Sequence, residues 1–164
     1  DNWEAMNAEA WKAMEEAYED GRIKAIGVSN FHPHHLDALL KTANVKPMVN
    51  QIYLSPSDMQ PKVVAYNQEH NMITQAWSPL GTGTILEVKE LQDIAARYGK
   101  SVAQVAIRWS LQHGFLPLPK SVTKSRIYEN IDVFDFELDK ETMDFMDTLH
   151  GSAKTALDPD NLDF

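Results

Sequence analysis

Four short apolar runs recur along the chain, and a helix-sized segment separates each from the next: IKAIGV at 23–28, MVNQIY at 48–53, MITQAW at 72–77 and FLPL at 115–118. Short runs of this kind, bounded by turn residues, read as buried strands. Their starts, near 23, 48, 72 and 115, leave room for a crossover helix each time, which parallel pairing requires. A repeated strand–helix order predicts a parallel sheet with right-handed crossovers. Because the runs are nearly uniformly apolar, both faces of that sheet are expected to be covered. Pro117 weakens the fourth run, since it cannot donate to a ladder.

The intervening segments carry helical spacing. Trp3, Met6, Ala10, Trp11, Met14 and Tyr18 fall near one face of a helix over 3–19, and Gly21 is its stop signal. Pro33 opens a second helix with Leu36, Leu39, Leu40 and Ala43 inward, and Pro61 opens a third. After the turn-rich loop Ser78–Gly83, one helix presents Val88, Leu91, Ile94, Ala95 and Tyr98 and stops at Gly99. Ser101-x-x-Gln104 is a capping box that starts the next, which ends at Gly114. Ser125 is the expected cap of a short helix through Asn130. Asp139 is the expected cap of a last one, with Met143, Met146 and Leu149 inward and an end at Gly151. Residues 152–164 read as a loose tail, and Asp158 and Asp160 within it as solvated.

Composition narrows the class. The 164 residues are 43% hydrophobic, enough for a packed core and too much for a disordered chain, so one domain over 1–164 is expected. Lys plus Arg is 15 against 24 for Asp plus Glu, a formal charge of −9, which argues against nucleic acid and against an anionic membrane surface. No apolar run reaches the ~20 residues of a membrane span, and the opening DNWEAMNAEA has no signal-peptide pattern. The absence of cysteine excludes disulfides, thiolate–metal sites and a cysteine nucleophile, and fits a cytoplasmic protein. The chain opens at Asp1 and not at Met, which fits proteolysis or truncation.

Four strands suit few parallel architectures. A doubly wound nucleotide fold places G-x-G-x-x-G after its first strand, but here that position reads Gly27-Val28-Ser29-Asn30-Phe31. Gly81-Thr82-Gly83 follows the third strand and meets Leu86 where the third glycine belongs. The remaining common solution is a (βα)8 barrel of ~250 residues, of which this chain supplies about half.

In a barrel, chemistry gathers at the C-terminal strand ends. The polar residues there are Ser29 and Asn30, then Asn50, Gln51 and Ser55, then Trp77 and Ser78 with Pro79-Leu80-Gly81, and finally Lys120, Ser121, Thr123, Lys124 and Arg126. Residues 120–126 hold three cations and no acid in an acidic chain, which suits a phosphate. Side-chain amides suit a carboxamide, and Trp77 offers a flat face to a planar ring. Each residue also has a structural reading: Ser29 and Asn30 as turn and cap, Asn50 and Gln51 as partners of buried backbone, Trp77 as core, and Lys120–Arg126 as a solvated helix start.

GVSNF at 27–31, VNQ at 49–51, AWSPLG at 76–81, LPKSVTKSRIYENI at 118–131 and the tail DPDNLDF at 158–164 resemble, in order, the aldo-keto reductase family. The resemblance implies an α/β (TIM) (βα)8 barrel whose last four βα units this chain supplies, with 152–164 as C-terminal tail. It also implies NADPH-dependent reduction of aldehydes or ketones, with a small carbonyl compound as substrate. It further implies that Ser29, Asn30 and Gln51 hold the nicotinamide carboxamide and that Trp77 stacks on its ring. By the same resemblance, Ser78, Leu80 and Gly81 are expected over the pyrophosphate, Lys120, Ser121, Thr123 and Arg126 around the adenosine 2′-phosphate, and Glu129 and Asn130 at the adenine. Paired cations there favour NADP over NAD.

The family's catalytic Asp, Tyr, Lys and His lie upstream of the motifs matched here, so no catalytic residue is assigned. Tyr18, Tyr66, Tyr98 and Tyr128 fall on helices, and Tyr53 stands where many members carry an acid. The isolated chain is therefore expected to bind cofactor without reducing carbonyls. With its inner face uncovered, it is expected to pair with the N-terminal half of the barrel or with itself. The alternatives are a non-catalytic half-barrel that binds a dinucleotide or phosphate, and an unrelated βα phosphate-binding enzyme. His32-Pro33-His34-His35 has metal-ligand residue types, but Pro33 explains it as a helix start and only Asp37 stands near in sequence, so no metal is expected.

Overall fold

A computed structural model of the chain describes residues 2–161. They fall into two compact units, one of residues 2–52, 61–74 and 159–161, the other of residues 53–60 and 75–158.

The first unit contains α1 (Trp3–Glu19), β1 (Gly27–Ser29), α2 (Pro33–Leu40), most of β2 (Val49–Tyr53), α3 (Pro61–Glu69) and the first two residues of β3 (Ile73–Trp77). β1 and β2 pair in parallel, with Gly27 opposite Val49 and Ser29 opposite Gln51. The Ile73 N–H donates to the Met48 carbonyl at 2.9 Å, so the start of β3 joins the same ladder. Gly27 is required by contact: a Cβ there would stand 2.6 Å from the Val49 carbonyl oxygen. Trp11, Ile26 and Leu39 form the core of this unit, with Met14, Tyr18, Val28, Phe31 and Val45 against it.

Helix α1 faces that core with Trp11, Met14 and Tyr18, but Met6 is 65% exposed and Ala10 is exposed too, so its buried stripe is narrower than the spacing suggested. β1 begins at Gly27, four residues later than expected, and the first of those four, Ile23, is drawn into the end of α1. The Arg22 and Ile23 N–H groups both donate to the Ala17 carbonyl, and Gly21, at φ +71°, donates to Tyr18. These bonds close the end of α1 in a Schellman turn, so residues 21–23 cap a helix. A buried polar chain fixes the rest. Asn50 Nδ2 donates to the Phe31 carbonyl (2.9 Å) and to Asn67 Oδ1 (3.2 Å), and Asn67 Nδ2 donates to Thr74 Oγ1 (3.0 Å).

The second unit contains the C-terminal part of β3, a 3-10 segment (Gly81–Glu87), α4 (Lys89–Tyr98), α5 (Val102–Gln112), β4 (Leu116–Leu118), α6 (Lys124–Ile131) and α7 (Lys140–Met146). β3 and β4 are parallel, with Gln75 opposite Leu116 and Trp77 opposite Leu118, and the Leu54 N–H donates to the Trp77 carbonyl. Ile85, Leu91, Ile94, Val105, Trp109 and Met146 are buried in its core. Both caps expected at Ser101 and Asp139 form: Ser101 Oγ accepts from the Gln104 N–H, and Asp139 Oδ1 from the Thr142 N–H. The cap position of α6 is Thr123, and Ser125 lies inside the helix.

Two expectations are corrected in this unit. The sheet is not covered on both faces: Leu116 and Leu118 are 46% and 42% exposed. Nor is 152–158 loose. The Lys154 carbonyl accepts from Tyr53 OH (2.6 Å) and Ser57 Oγ (2.5 Å), and the Ala156 N–H donates to Asp58 Oδ2 (2.9 Å). Pro159–Asn161 forms a 3-10 turn in the first unit, and residues 162–164 of the tail lie outside the described residues.

Candidate functional site

Beyond β3 the backbone turns through left-handed conformations. Ser78 stands at φ +48°, Gly81 and Thr82 at +56° and Gly83 at +97°. The turns close on themselves, with Gly81 N–H on the Ser78 carbonyl and Gly83 N–H on the Leu80 carbonyl, both 2.8 Å. Positive φ at a serine and a threonine is strained, and such strain concentrates at binding loops. Gly81 admits no side chain: a Cβ would meet Thr84 Oγ1 at 2.9 Å and Ile85 Cγ2 at 3.0 Å.

This loop forms one wall of a cavity of about 660 Å³, lying wholly within the second unit. Ser78, Leu80, Thr82 and Gly83 come from the loop, and Ser101, Val102 and Ala103 from the start of α5. Leu118, Lys120 and Ser121 come from the end of β4. Arg126, Glu129 and Asn130 come from α6, where a spacing of three and four residues puts them on one face. Among the described residues, neither Lys120 nor Arg126 is in an ion pair. The cavity thus has two cations outside any ion pair against one carboxylate, Glu129, together with hydroxyls from Ser78, Ser101 and Ser121 and the first amides of α5, a combination that suits an anion.

The sequence-selected residues are distributed as follows. Ser78, Leu80, Lys120, Ser121, Arg126, Glu129 and Asn130 line the cavity together. Gly81 is buried beneath the loop and Thr123 is exposed, donating its N–H to Ser121 Oγ; neither lines the cavity. Trp77 does not line it either, and meets Tyr53 edge to face at 5.2 Å. Ser29, Asn30 and Gln51 belong to the first unit. There Ser29 Oγ and the Asn30 N–H both donate to the Gln51 carbonyl, at 3.0 and 2.9 Å, and Asn30 adopts φ +57°. Asn50 takes its structural role, bonded within the unit. Sequence reasoning missed Ser101, Val102 and Ala103, although the capping box had already marked a helix N-terminus there.

A second cluster forms in the first unit. Asp160 is not simply solvated. It lies against the three histidines at the start of α2: His34 Nε2 is 3.0 Å and His35 Nε2 2.9 Å from Oδ1, and His32 Nδ1 is 3.5 Å from Oδ2. Burial resists charge on Asp160, but the hydrogen bond from His34 and the nearby imidazoles outweigh it and hold its carboxyl below the usual range. Burial, then His34, push the His35 pKa down against the pull of Asp160. Asp37, the acid adjacent in sequence, accepts from Tyr66 OH.

The Aldo/keto reductase family profile matches residues 2–150, and the chain belongs to that family. It is 48% identical over 161 residues to the uncharacterized oxidoreductase YtbE of Bacillus subtilis, covering 98% of this chain and 58% of that protein. It is 47% identical over 156 residues to glyoxal reductase of the same organism, covering 95% and 56%. A solved structure of a Gox0644 mutant in complex with NADPH matches with a TM-score of 0.91 and 39% identity, over 96% of this chain and 58% of that one. The fold is therefore the family's α/β barrel in part, and the chain spans little more than half the length of these relatives.

Proposed function

We propose that this chain is the cofactor-binding portion of an NADPH-dependent reductase of small aldehydes or ketones, corresponding over 1–164 to the last four βα units of the barrel. The observation that carries this reading is the pair of cations outside any ion pair, Lys120 and Arg126, on one cavity in a chain of charge −9. NADPH fits that donor set because its 2′-phosphate needs cationic and hydroxyl partners. When bound, NADPH supplies the hydride. Lys120 and Arg126 neutralise the 2′-phosphate, with Ser121 and Thr123 as further donors, and Glu129 and Asn130 take the adenine edge. Ser78, Leu80 and Gly81 supply the loop for the pyrophosphate. Ser29, Asn30 and Gln51 serve the carboxamide, and Trp77 gives its ring face. Glyoxal reductase among the relatives supports a small carbonyl substrate. No residue of this chain is assigned as proton donor, so the reaction requires the N-terminal half of the barrel.

Fluorescence titration of the folded chain with NADPH and NADH tests the reading. Saturable NADPH binding is expected. Lys120→Ala and Arg126→Ala are each expected to weaken it by about tenfold or more, the scale of a lost charge-assisted bond, with much smaller losses for NADH, which lacks the 2′-phosphate. Equal losses for both nucleotides would move the cations away from the 2′-phosphate. No binding by a well-folded chain would favour a structural half-barrel module.

A further inference from the structure

The histidine cluster of the first unit carries a site that the cofactor reading does not use. The ligand atoms of His32, His34, His35 and Asp160 all lie within 4.8 Å of one another. The four residues come from two segments 126 positions apart, His34 to Asp160. The donor set is imidazole and carboxylate with no thiolate, which suits Zn2+, Co2+, Ni2+ or Cu2+ and is wrong for Ca2+ and Mg2+. A four-coordinate ion with bonds of ~2.0–2.1 Å needs its ligand atoms about 3.3 Å apart. His34 Nε2 stands 3.0 Å from Asp160 Oδ1 and His32 Nδ1 3.5 Å from Asp160 Oδ2, so each imidazole is already near that spacing from one oxygen of the carboxylate, and a small turn of the carboxylate brings both onto one ion.

The tautomer of His35 divides the roles. Its Nδ1 accepts the His32 backbone N–H at 3.0 Å, so the ring proton sits on Nε2 and points at Asp160 Oδ1. Binding an ion at Nε2 would force the proton onto Nδ1, against the His32 N–H. His35, with its side chain only 13% exposed, is better suited to hold the carboxylate than to ligate. His34 and Asp160, 52% and 40% exposed, sit where an ion reaches them from solvent.

We propose that His32 Nδ1, His34 Nε2 and an Asp160 carboxylate oxygen form a first-row transition-metal site of the Zn2+ class, with His35 as the residue that positions Asp160 and water completing the coordination. The site ties the 159–161 turn to the start of α2. Trp3, whose ring stands edge-on to His35 at 4.9 Å and to His34 at 6.0 Å, is its built-in reporter.

The test is titration of the EDTA-treated full chain with Co2+, followed by visible ligand-field absorption and by tryptophan fluorescence, with Zn2+ as competitor. One Co2+ per chain, displaced by Zn2+, is expected. His34→Ala and Asp160→Asn are each expected to weaken binding tenfold or more, and His35→Gln by about tenfold through the misplaced carboxylate. Trp3→Phe should remove the fluorescence response and leave the absorption titration in place. Circular dichroism checks that each variant is folded. Absence of saturable one-to-one binding overturns the proposal. So does an Asp160→Asn titration identical to that of the parent chain, because a histidine-rich segment alone would then account for the ion.

Discussion

At the scale of single residues, Glu15 shows how a buried acid holds two segments together. It is 4% exposed on α1, and its Oε1 accepts the N–H groups of Asn44 (2.7 Å) and Val45 (2.8 Å) in the turn before β2. The Val45 N–H is the strongest influence on its carboxyl, burial opposes, the Asn44 groups add to the first, and the net result is a pKa below the usual range. A carboxyl whose folded pKa is depressed stabilises the fold fully above its unfolded pKa and loses that contribution as pH falls through the folded value. Glu15→Ala leaves the two N–H groups without that acceptor, at a cost of about 1–3 kcal/mol. Urea unfolding at neutral pH should read that loss, and the gap between variant and parent should narrow in acid. A gap that widened in acid would contradict the assignment. Neither Glu15 nor Asp160 was legible in sequence as a structural acid. The first sits beside an apolar stripe that hides it, and the partners of the second stand more than a hundred positions away. Short-range pattern records neither.

At the scale of elements, α5 rests on reciprocal caps. Ser101 Oγ accepts the Gln104 N–H at 3.2 Å, and Gln104 Oε1 accepts the Ser101 N–H at 3.0 Å. Gln104 also donates to the Asp132 carbonyl at 2.8 Å, which fastens the end of α6 to the start of α5. Ser101→Ala should therefore cost about 1 kcal/mol. Gln104→Ala should cost more, since it removes the other half of the cap and a long-range bond from a buried position. Thermal melts order the two variants, and equal losses would mean that the Asp132 link contributes nothing. The S-x-x-Q pattern was legible because a capping box is a local device. So were the strands, each found within a few residues of its apolar run. The misplaced boundaries have local causes of another kind. The Schellman turn at 20–23 takes Ile23, the β-branched residue that opens the apolar run, and α6 has its cap position at Thr123 although Ser125 is chemically the better cap. The cavity was half legible: Lys120 and Arg126 stand out by charge, whereas Val102 and Ala103 contribute position and no distinctive chemistry.

At the scale of the whole chain, the open sheet face of the second unit decides what the isolated protein does. Leu116 and Leu118 alternate with Pro117 and project from one side of β4, opposite Gln75 and Trp77 in register. Parallel sheets keep both faces covered, and apolar surface left in water costs about 25 cal/mol per Å². The apolar runs pointed to cover on both faces of the sheet, and among the described residues Leu116 and Leu118 lack it. If the N-terminal half of the barrel is that cover, the isolated chain should show concentration-dependent self-association in light scattering, and Leu116→Lys with Leu118→Lys should abolish it. If the proposed function holds, coexpression with the N-terminal half of a relative such as the glyoxal reductase should suppress self-association and yield NADPH-dependent reduction of glyoxal, because on that reading the proton donor comes from the other half. The isolated chain should give no such rate even when NADPH saturates it. A monodisperse monomer that reduces carbonyls by itself would require a proton donor within these 164 residues and would remove the need for a second half.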